Sequence, residues 1–307
     1  MYRILFLGTP EFAVPSLRAL ATDERFEIVG VVTQPDRHVG RKGTITPPPI
    51  KVAAQELGIE TIKQPEKLKD EEFITWIEEI GPTCDAFVVV AYGKIFRPWF
   101  LELPKKGLVN VHASLLPRWR GASPINAAIA EGDEKSGVSI MMIEEEMDAG
   151  PVLAMTETEI ANNETAQTLH DRLSTMGADL LPMTLADYLE GKIKPTSQNQ
   201  DLATYCKMIT REDGKADWNE PAEVLERKLR AYTPWPGLWM EVDGKRIKIL
   251  AADPIDQPGG KPGDRVSIHG EPAVICADQT VLILKEVQPE NKPVMSGADF
   301  LKGNAWN

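Results

Sequence analysis

Two kinds of apolar pattern alternate through the first 190 residues. The segments Arg3–Gly8, Glu27–Val32 and Ala86–Tyr92 have the composition of buried strands. Between and after them, apolar residues recur at helical spacing. The predicted helices open at Thr9-Pro10, span Ile50–Leu57, and carry Leu169, Leu173, Met176 and Leu180 behind a cap at Asn163. Strands that alternate with helices predict an α/β fold with a parallel sheet and crossover helices.

The pattern changes near residue 190. Tyr188–Asp201 is polar and mostly aperiodic, which is typical of a linker between domains. A helix near Pro221–Ala231 follows, and then short strands separated by Gly, Pro and Asp turns, which predict a small β-barrel. These strands are Trp239–Val242, Arg246–Ala251, Ala273–Ala277 and Val281–Val287. We therefore expect one domain over residues 1–189, a linker over 190–207 and a second domain over 208–307.

Composition narrows the function classes. The 307 residues include 34 Lys and Arg against 46 Asp and Glu, a net charge of −12, which excludes a non-specific binder of polyanions. The three cysteines are far apart, with no CxxC or Cys/His cluster, so neither a disulfide framework nor a structural zinc site is expected. The longest apolar run, Ala86–Ala91, is too short to span a bilayer, so we expect a cytoplasmic protein with no membrane partner.

One segment of the first domain is locally basic. Gln34–Lys51 carries Pro, Gly and several cations without any period, and it is predicted to be a long surface loop. Its cations around Asp36 give a local surplus of three positive charges; they are Arg37, Arg41, Lys42 and Lys51. Any contact with nucleic acid is expected here or on another local patch.

The residues with the clearest chemical potential lie between 107 and 152. Leu108–His112 has strand character, so Asn110 and His112 point to the same side near the strand's carboxyl end, where open α/β sheets bind ligands. Further on, Asp148 precedes Ala149-Gly150 in a second predicted loop. Each residue alone has an ordinary structural explanation: a satisfied histidine, a strand-ending asparagine, a turn-forming aspartate.

Together, Asn110, His112 and Asp148 form a more specific signal. Acyl transfer to an amine needs a donor for the developing oxyanion, a proton carrier that works near neutral pH, and a carboxylate that orients this carrier. No Ser or Cys is placed beside His112 as a nucleophile. Direct transfer between two bound substrates is therefore favoured over a covalent acyl-enzyme.

The stretch NVHASLLPRWRGASPI and the later MDAGPV resemble the signature of the folate-dependent formyltransferases, which is Asn-x-His, an SLLP segment and a distal Asp. Within this family the chain is most similar to the branch that acts on methionyl-tRNA. That similarity lies in ILFLGTPEFAVPSL, TQPDRHVGRKG, VVVAYGKI and AYTPWPGLW, which occur in the same order.

This resemblance implies a Rossmann-like catalytic domain and an OB-like C-terminal barrel that binds tRNA. It implies transfer of the formyl group of 10-formyltetrahydrofolate to the α-amino group of methionine on initiator methionyl-tRNA in translation initiation, by direct attack through a tetrahedral intermediate. Tetrahydrofolate is the second product, no metal is needed, and we expect a monomer. The residues that it assigns are Asn110, His112 and Asp148 to catalysis, Ser114, Leu115, Leu116 and Pro117 to the folate site, and Arg41 and Lys42 to tRNA.

Other functions stay open at this point. The family motif also fits formyltransferases that act on glycinamide ribonucleotide or UDP-aminosugars, and formyltetrahydrofolate hydrolases. A dinucleotide oxidoreductase is disfavoured because the turn after the first strand, Gly8-Thr9-Pro10-Glu11, lacks the later glycines of GxGxxG. A non-catalytic RNA-binding protein has no need for the Asn110, His112 and Asp148 set.

Overall fold

A computed structural model describes residues 1–39, 43–257, 259–304 and 306. It divides into two compact units. The first consists of Met1–Gly121, Ser136–Thr158 and His170–Tyr205, and the second of Ala122–Lys135, Glu159–Leu169 and Cys206–Asn307. The domain limits expected from the sequence, 1–189 and 208–307 with a linker between them, stay a prediction.

The elements alternate as expected over the first 190 residues. In chain order the strands are β1 (Tyr2–Gly8), β2 (Phe26–Val32), β3 (Arg37–Val39), β4 (Thr44–Thr46), β5 (Ile62–Lys63), β6 (Ala86–Val90), β7 (Leu108–His112), β8 (Arg120–Gly121), β9 (Lys135–Met142) and β10 (Val152–Glu159). The α-helices are α1 (Val14–Ala21), α2 (Pro49–Glu56), α3 (Glu71–Ile80), α4 (Pro98–Leu101), α5 (Pro124–Glu131) and α6 (Ala166–Leu189).

Seven of these strands form one sheet in the order β10-β9-β7-β6-β1-β2-β5. The expected parallel pairing is confirmed for β2 with β5, β1 with β2, β1 with β6, and β6 with β7. Strand β6 is buried along its whole length, as its AFVVV sequence predicts for a strand covered on both faces. Strand β9, however, runs antiparallel to β7, so the sheet is mixed rather than wholly parallel.

Two local predictions were wrong. Helix α6 begins at Ala166, and its first turn is capped by Thr165, whose Oγ1 accepts a hydrogen bond from the Thr168 amide, rather than by Asn163. The basic segment is not an unstructured loop throughout, because β3 and β4 pair antiparallel within it.

The second unit is rich in antiparallel strands. Its elements after residue 206 are α7 (Ala222–Ala231), β12 (Leu238–Val242), β13 (Lys245–Asp256), β14 (Arg265–Ile268), β15 (Glu271–Ile275), β16 (Thr280–Pro289), β17 (Met295–Ser296) and α8 (Gly297–Gly303), and β11 (Tyr205–Cys206) precedes them. Five of the strands follow the order β12-β13-β16-β15-β14, and β17 pairs with β16.

The core of this unit explains its architecture. Apolar residues on the inner faces of β12, β13 and β16 pack against one face of α7, which supplies Leu225 and Leu229. The antiparallel C-terminal sheet is confirmed, whereas β14 and α8 were missed by the sequence analysis and closure into a barrel stays a prediction. Among the described helices, none is long and apolar enough to cross a membrane.

Candidate active site

Asn110 and His112 end strand β7, beside β6 on one edge and β9 on the other. They lie two positions apart in a regular strand and so share one side of the sheet. Asn110 is half-buried, and its carboxamide makes no hydrogen bond to any described residue. This amide is therefore available to donate a hydrogen bond to a bound substrate.

The environment of His112 fixes its tautomer. The side chain is 6% exposed, and its Nε2 lies 3.0 Å from the Trp119 carbonyl oxygen. A carbonyl only accepts hydrogen bonds, so Nε2 carries the hydrogen and donates it. In the neutral ring the lone pair is then on Nδ1. That nitrogen faces the Oδ2 atom of Asp148 at 3.7 Å, beyond direct hydrogen-bond distance.

Asp148 is held in its loop by the backbone. Its Oδ2 accepts a hydrogen bond of 2.8 Å from the Gly121 amide, and its φ of +51° lies in the left-handed region that Asp tolerates better than most residues. The structure thus brings together His112, at the end of β7, and Asp148, in a loop 36 positions later in the sequence. Gly121 orients the carboxylate, and Trp119, two residues earlier, orients the imidazole.

The Ser114–Pro117 segment is closely tied to the protein. Buried Ser139 on β9 accepts a hydrogen bond from the Leu116 amide and donates one to the Ser114 carbonyl. The carbonyls of Leu115 and Pro117 accept bonds from the amides of Arg118 and Thr204. Within the described part of the chain, the Leu115 amide and the Leu116 carbonyl are among the backbone groups of this turn that have no hydrogen-bond partner and remain for a ligand.

Two residues near the site were not predicted as functional. Arg120 is fully buried, although arginine is mostly a surface residue. Its Nε and Nη2 donate to the Oε1 atom of Gln198 at 3.1 and 2.8 Å. The Nε2 atom of Gln198 in turn donates to the carbonyls of Asp148 and Gly150. Gln198 lies in the segment predicted as a linker, where no periodicity pointed to it.

The predicted tRNA-binding loop is described only in part. Arg41 and Lys42 lie outside the described residues. Of the other cations, Lys51 makes an ion pair with Asp36, and Arg37 lies 3.2 Å from Glu66. Hydrogen bonds from Gln64 and Lys51 lower the pKa of Asp36 below its ordinary value. Asp36 is already counted in the local positive surplus, so it is the pairing of Arg37 with Glu66 that removes part of this surplus.

The second unit separates its cations into two groups. The helix α7 cations are engaged: Arg227 donates to the Ala130 carbonyl, Lys228 to Glu220, and Arg230 to Glu226. On β13, in contrast, Lys245 and Lys248 are exposed and have no ion-pair partner among the described residues. Arg246 lies between them in sequence, and its guanidinium is 3.8 Å from the centre of the Trp239 ring.

No group of three or more His, Cys, Asp or Glu side chains that could hold a metal ion occurs in the described residues. The side chains that the structure brings together at the candidate site carry amide, imidazole and carboxylate groups. These can donate to a developing oxyanion, accept a proton at a known nitrogen, and stabilise the resulting positive charge.

The chain is similar in sequence to known proteins along nearly its whole length. A family model described as "Formyl transferase" matches residues 2–185, and one described as "Formyl transferase, C-terminal domain" matches residues 208–305. The methionyl-tRNA formyltransferase of Myxococcus xanthus is 43% identical over 302 residues, which is 98% of this chain and 95% of that protein. The Bacillus subtilis enzyme of the same name is 41% identical over 305 residues, 99% of this chain and 95% of that one.

Solved structures support the fold. A sugar 3N-formyl transferase, WlaRD, studied with dTDP and 5-N-formyl-THF, has a TM-score of 0.68 at 18% identity and covers 95% of this chain and 99% of its own. An N-formyltransferase from Helicobacter canadensis, in complex with folinic acid and dTDP-3-aminofucose, has a TM-score of 0.66 at 18% identity, with 92% and 99% covered. From the family models and the full-length relatives together, we conclude that the chain belongs to the formyl transferase family, among its methionyl-tRNA formyltransferases.

Proposed function

We infer that this protein transfers the formyl group of 10-formyltetrahydrofolate to the α-amino group of methionine on initiator methionyl-tRNA. The observation that carries this inference is the grouping of Asn110, His112 and Asp148 at the end of β7, in a chain that is similar to such enzymes over both units. We also propose that it acts as a monomer in the cytoplasm.

The Ser114–Pro117 turn suits the folate co-substrate, which supplies the formyl group. Two unpaired backbone groups, the Leu115 amide and the Leu116 carbonyl, complement the donors and acceptors of a pteridine ring. Leu115 packs over Gly137, where a Cβ atom would overlap its Cδ2. The turn is thereby held at the same end of the sheet as Asn110, and the half-buried Leu115 and Pro117 side chains offer apolar surface to a ring.

The reaction follows from the three catalytic groups. When the methionyl amine attacks the formyl carbon, a C–N bond forms and the formyl oxygen becomes negative. We assign the Asn110 amide to this oxygen; such a donor stabilises the transition state by about 3–4 kcal/mol. His112 Nδ1 takes the proton that the attacking nitrogen loses. As the bond from carbon to the folate nitrogen breaks, the same proton passes to that nitrogen, so no proton is gained or lost overall.

Asp148 acts through His112. Its carboxylate faces Nδ1 at 3.7 Å, where it stabilises the imidazolium that forms once the proton has been accepted. The Trp119 carbonyl keeps the other ring nitrogen protonated throughout, so the imidazole does not need to change tautomer between steps.

For the tRNA, we propose contacts from Arg41 and Lys42 with the acceptor end and from the exposed β13 lysines with the phosphate backbone. Lysines without an acidic partner lose no ion pair when they bind a phosphate. Because the net charge is −12, such contacts must come from local groups of cations rather than from the protein surface as a whole.

A competition between acceptors tests the proposed function. Wild-type protein is given 10-formyltetrahydrofolate with initiator methionyl-tRNA and, separately, with a UDP-aminosugar. We expect formylmethionyl-tRNA and no formylated sugar. Formylated sugar, or no formylated product with either acceptor, would contradict the proposal.

With Arg41→Ala, we expect the KM for tRNA to rise while the KM for folate stays unchanged.

A further inference from the structure

The carboxamide of Gln198 connects two parts of the first unit that meet at the candidate active site. Its Nε2 donates to the Asp148 carbonyl at 2.8 Å and to the Gly150 carbonyl at 2.7 Å. Its Oε1 accepts two hydrogen bonds from Arg120. Since carbonyls only accept and a guanidinium only donates, these four bonds fix which end of the amide faces which partner.

Arg120 holds this amide from a fully buried position. Its Nη1 donates to the Gln200 Oε1 atom at 2.8 Å and lies 3.7 Å from the mostly exposed Glu146 carboxylate. A buried guanidinium is costly unless its N–H groups are satisfied, so its two glutamine partners are strongly constrained in position. The charge on Arg120 also polarises the Gln198 amide and strengthens the bonds that its Nε2 makes.

The Asp148 loop needs such support. Asp148 has a positive φ, which is sparsely populated by residues other than glycine. Among the described residues, its side chain receives a single hydrogen bond, from the Gly121 amide. Gln198 binds the carbonyls on both sides of Ala149. Gln198 therefore fixes the backbone of the loop, and the amide of Gly121, which follows Arg120 in the chain, fixes the Asp148 carboxylate.

We propose that Gln198 is a positioning residue for formyl transfer, which holds the Asp148 carboxylate opposite Nδ1 of His112 and is itself oriented by Arg120. The proposal rests on the proposed function. Gln198 makes its contacts to the loop backbone and acts through Asp148. A displacement of the carboxylate by about 1 Å is expected to cost roughly a hundredfold in rate.

The experiment compares three single variants of the full chain in steady-state formyl transfer, with thermal unfolding measured in parallel. For Gln198→Ala we expect kcat to fall about 10- to 100-fold, with the KM for tRNA within about twofold and most of the protein folded at the assay temperature. Gln198→Glu keeps an acceptor for Arg120 but has no donor for the two carbonyls. We expect it to lose at least as much activity as Gln198→Ala while its Tm stays close to that of the wild type.

Gln200→Ala is the matched comparison. It removes the other amide partner of Arg120 and leaves both bonds to the Asp148 loop, so a loss of under about threefold in kcat is expected. If Gln198 served only as a hydrogen-bond partner for the buried Arg120, the opposite order of activities would be expected. Gln198→Glu would then keep its activity, and Gln200→Ala would lose as much activity as Gln198→Ala. That order would overturn the proposal.

A double variant tests whether Gln198 acts through Asp148. In an Asp148→Asn background, Gln198→Ala should lower kcat by less than threefold further, because the group that it positions is already lost. If the fold-loss in kcat of the double variant equals the product of the fold-losses of the two single variants, the proposal is contradicted. If wild-type protein forms no formylmethionyl-tRNA, the proposed function fails; if it does and Gln198→Ala keeps full kcat, only the positioning role fails.

Discussion

At the residue scale, the donors and acceptors of a few side chains determine the arrangement of the candidate site. Asn110 and His112 were predicted correctly as strand residues because alternation within a five-residue strand can be read from its sequence. Gln198 was not predicted, because its bonds to Asp148 join residues 50 positions apart in a segment without periodicity. Whether Asn110, His112 and Asp148 are the catalytic residues remains a proposal that the following variants test.

The Asn110 amide is expected to act on the transition state. Asn110→Ala should lower kcat about 10²- to 10³-fold, because the oxyanion loses a donor, with KM values changed only a few-fold. Asn110→Asp keeps the size and replaces the donor by an anion, so it should be at least as slow. Steady-state kinetics with both substrates measures this. A kcat within tenfold of wild type for Asn110→Ala would contradict the role.

At the scale of elements, the Asp148 loop packs tightly against the end of β9. A Cβ atom at Gly150 would overlap the carbonyl oxygen of Met142, which is backbone and cannot rotate away. Gly150→Ala should therefore lower the free energy of unfolding by about 1–3 kcal/mol and reduce kcat. Urea unfolding measures the first effect. Gly303→Ala, at the end of α8, meets no atom within 4 Å and is the neutral control.

In the sequence, the cations on α7 and those on β13 are equivalent, and only the structure separates them. The partners of the α7 cations are distant carbonyls and glutamates that no local pattern reveals. Lys248→Ala should therefore weaken tRNA binding and reduce the slope of log K against log salt by about 1. Lys228→Ala removes an internal ion pair with Glu220 and should leave the slope unchanged. Equal slopes for the two variants would contradict this assignment.

At the scale of the whole molecule, both units bury ionisable thiols. Burial raises the pKa of Cys84 to about 11 and that of Cys276 to about 12, from an ordinary value of 9.0. Above pH 9 the unfolded chain loses these protons while the folded chain keeps them. The free energy of unfolding should therefore fall as the pH rises from 9 through 11 to 12.

Denaturation by urea at pH 8 and pH 10.5 measures this loss of stability. Cys276→Ala removes one of the two thiols, so its stability should fall less between these pH values than that of the wild type. An identical fall in both proteins would show that the buried thiol in the second unit does not contribute.

The fold was predictable at this scale because, over long segments, the spacing of apolar residues and the positions of turn residues distinguish strands from helices. The direction of strand pairing was not predictable, because nothing in the sequence of β9 distinguishes antiparallel from parallel pairing with β7. The small elements β14 and α8 were missed, since four and seven residues are too few to establish a period.

The most direct measurement of the central claim is formyl transfer from 10-formyltetrahydrofolate to initiator methionyl-tRNA by wild type and His112→Ala, with the tRNA Kd of each protein determined alongside. We predict formylated tRNA from the wild type, a loss of at least about 10²-fold in kcat for His112→Ala, and tRNA Kd values that agree within about threefold. Comparable turnover by the two proteins, or an equal loss of binding and turnover in the variant, would contradict the account.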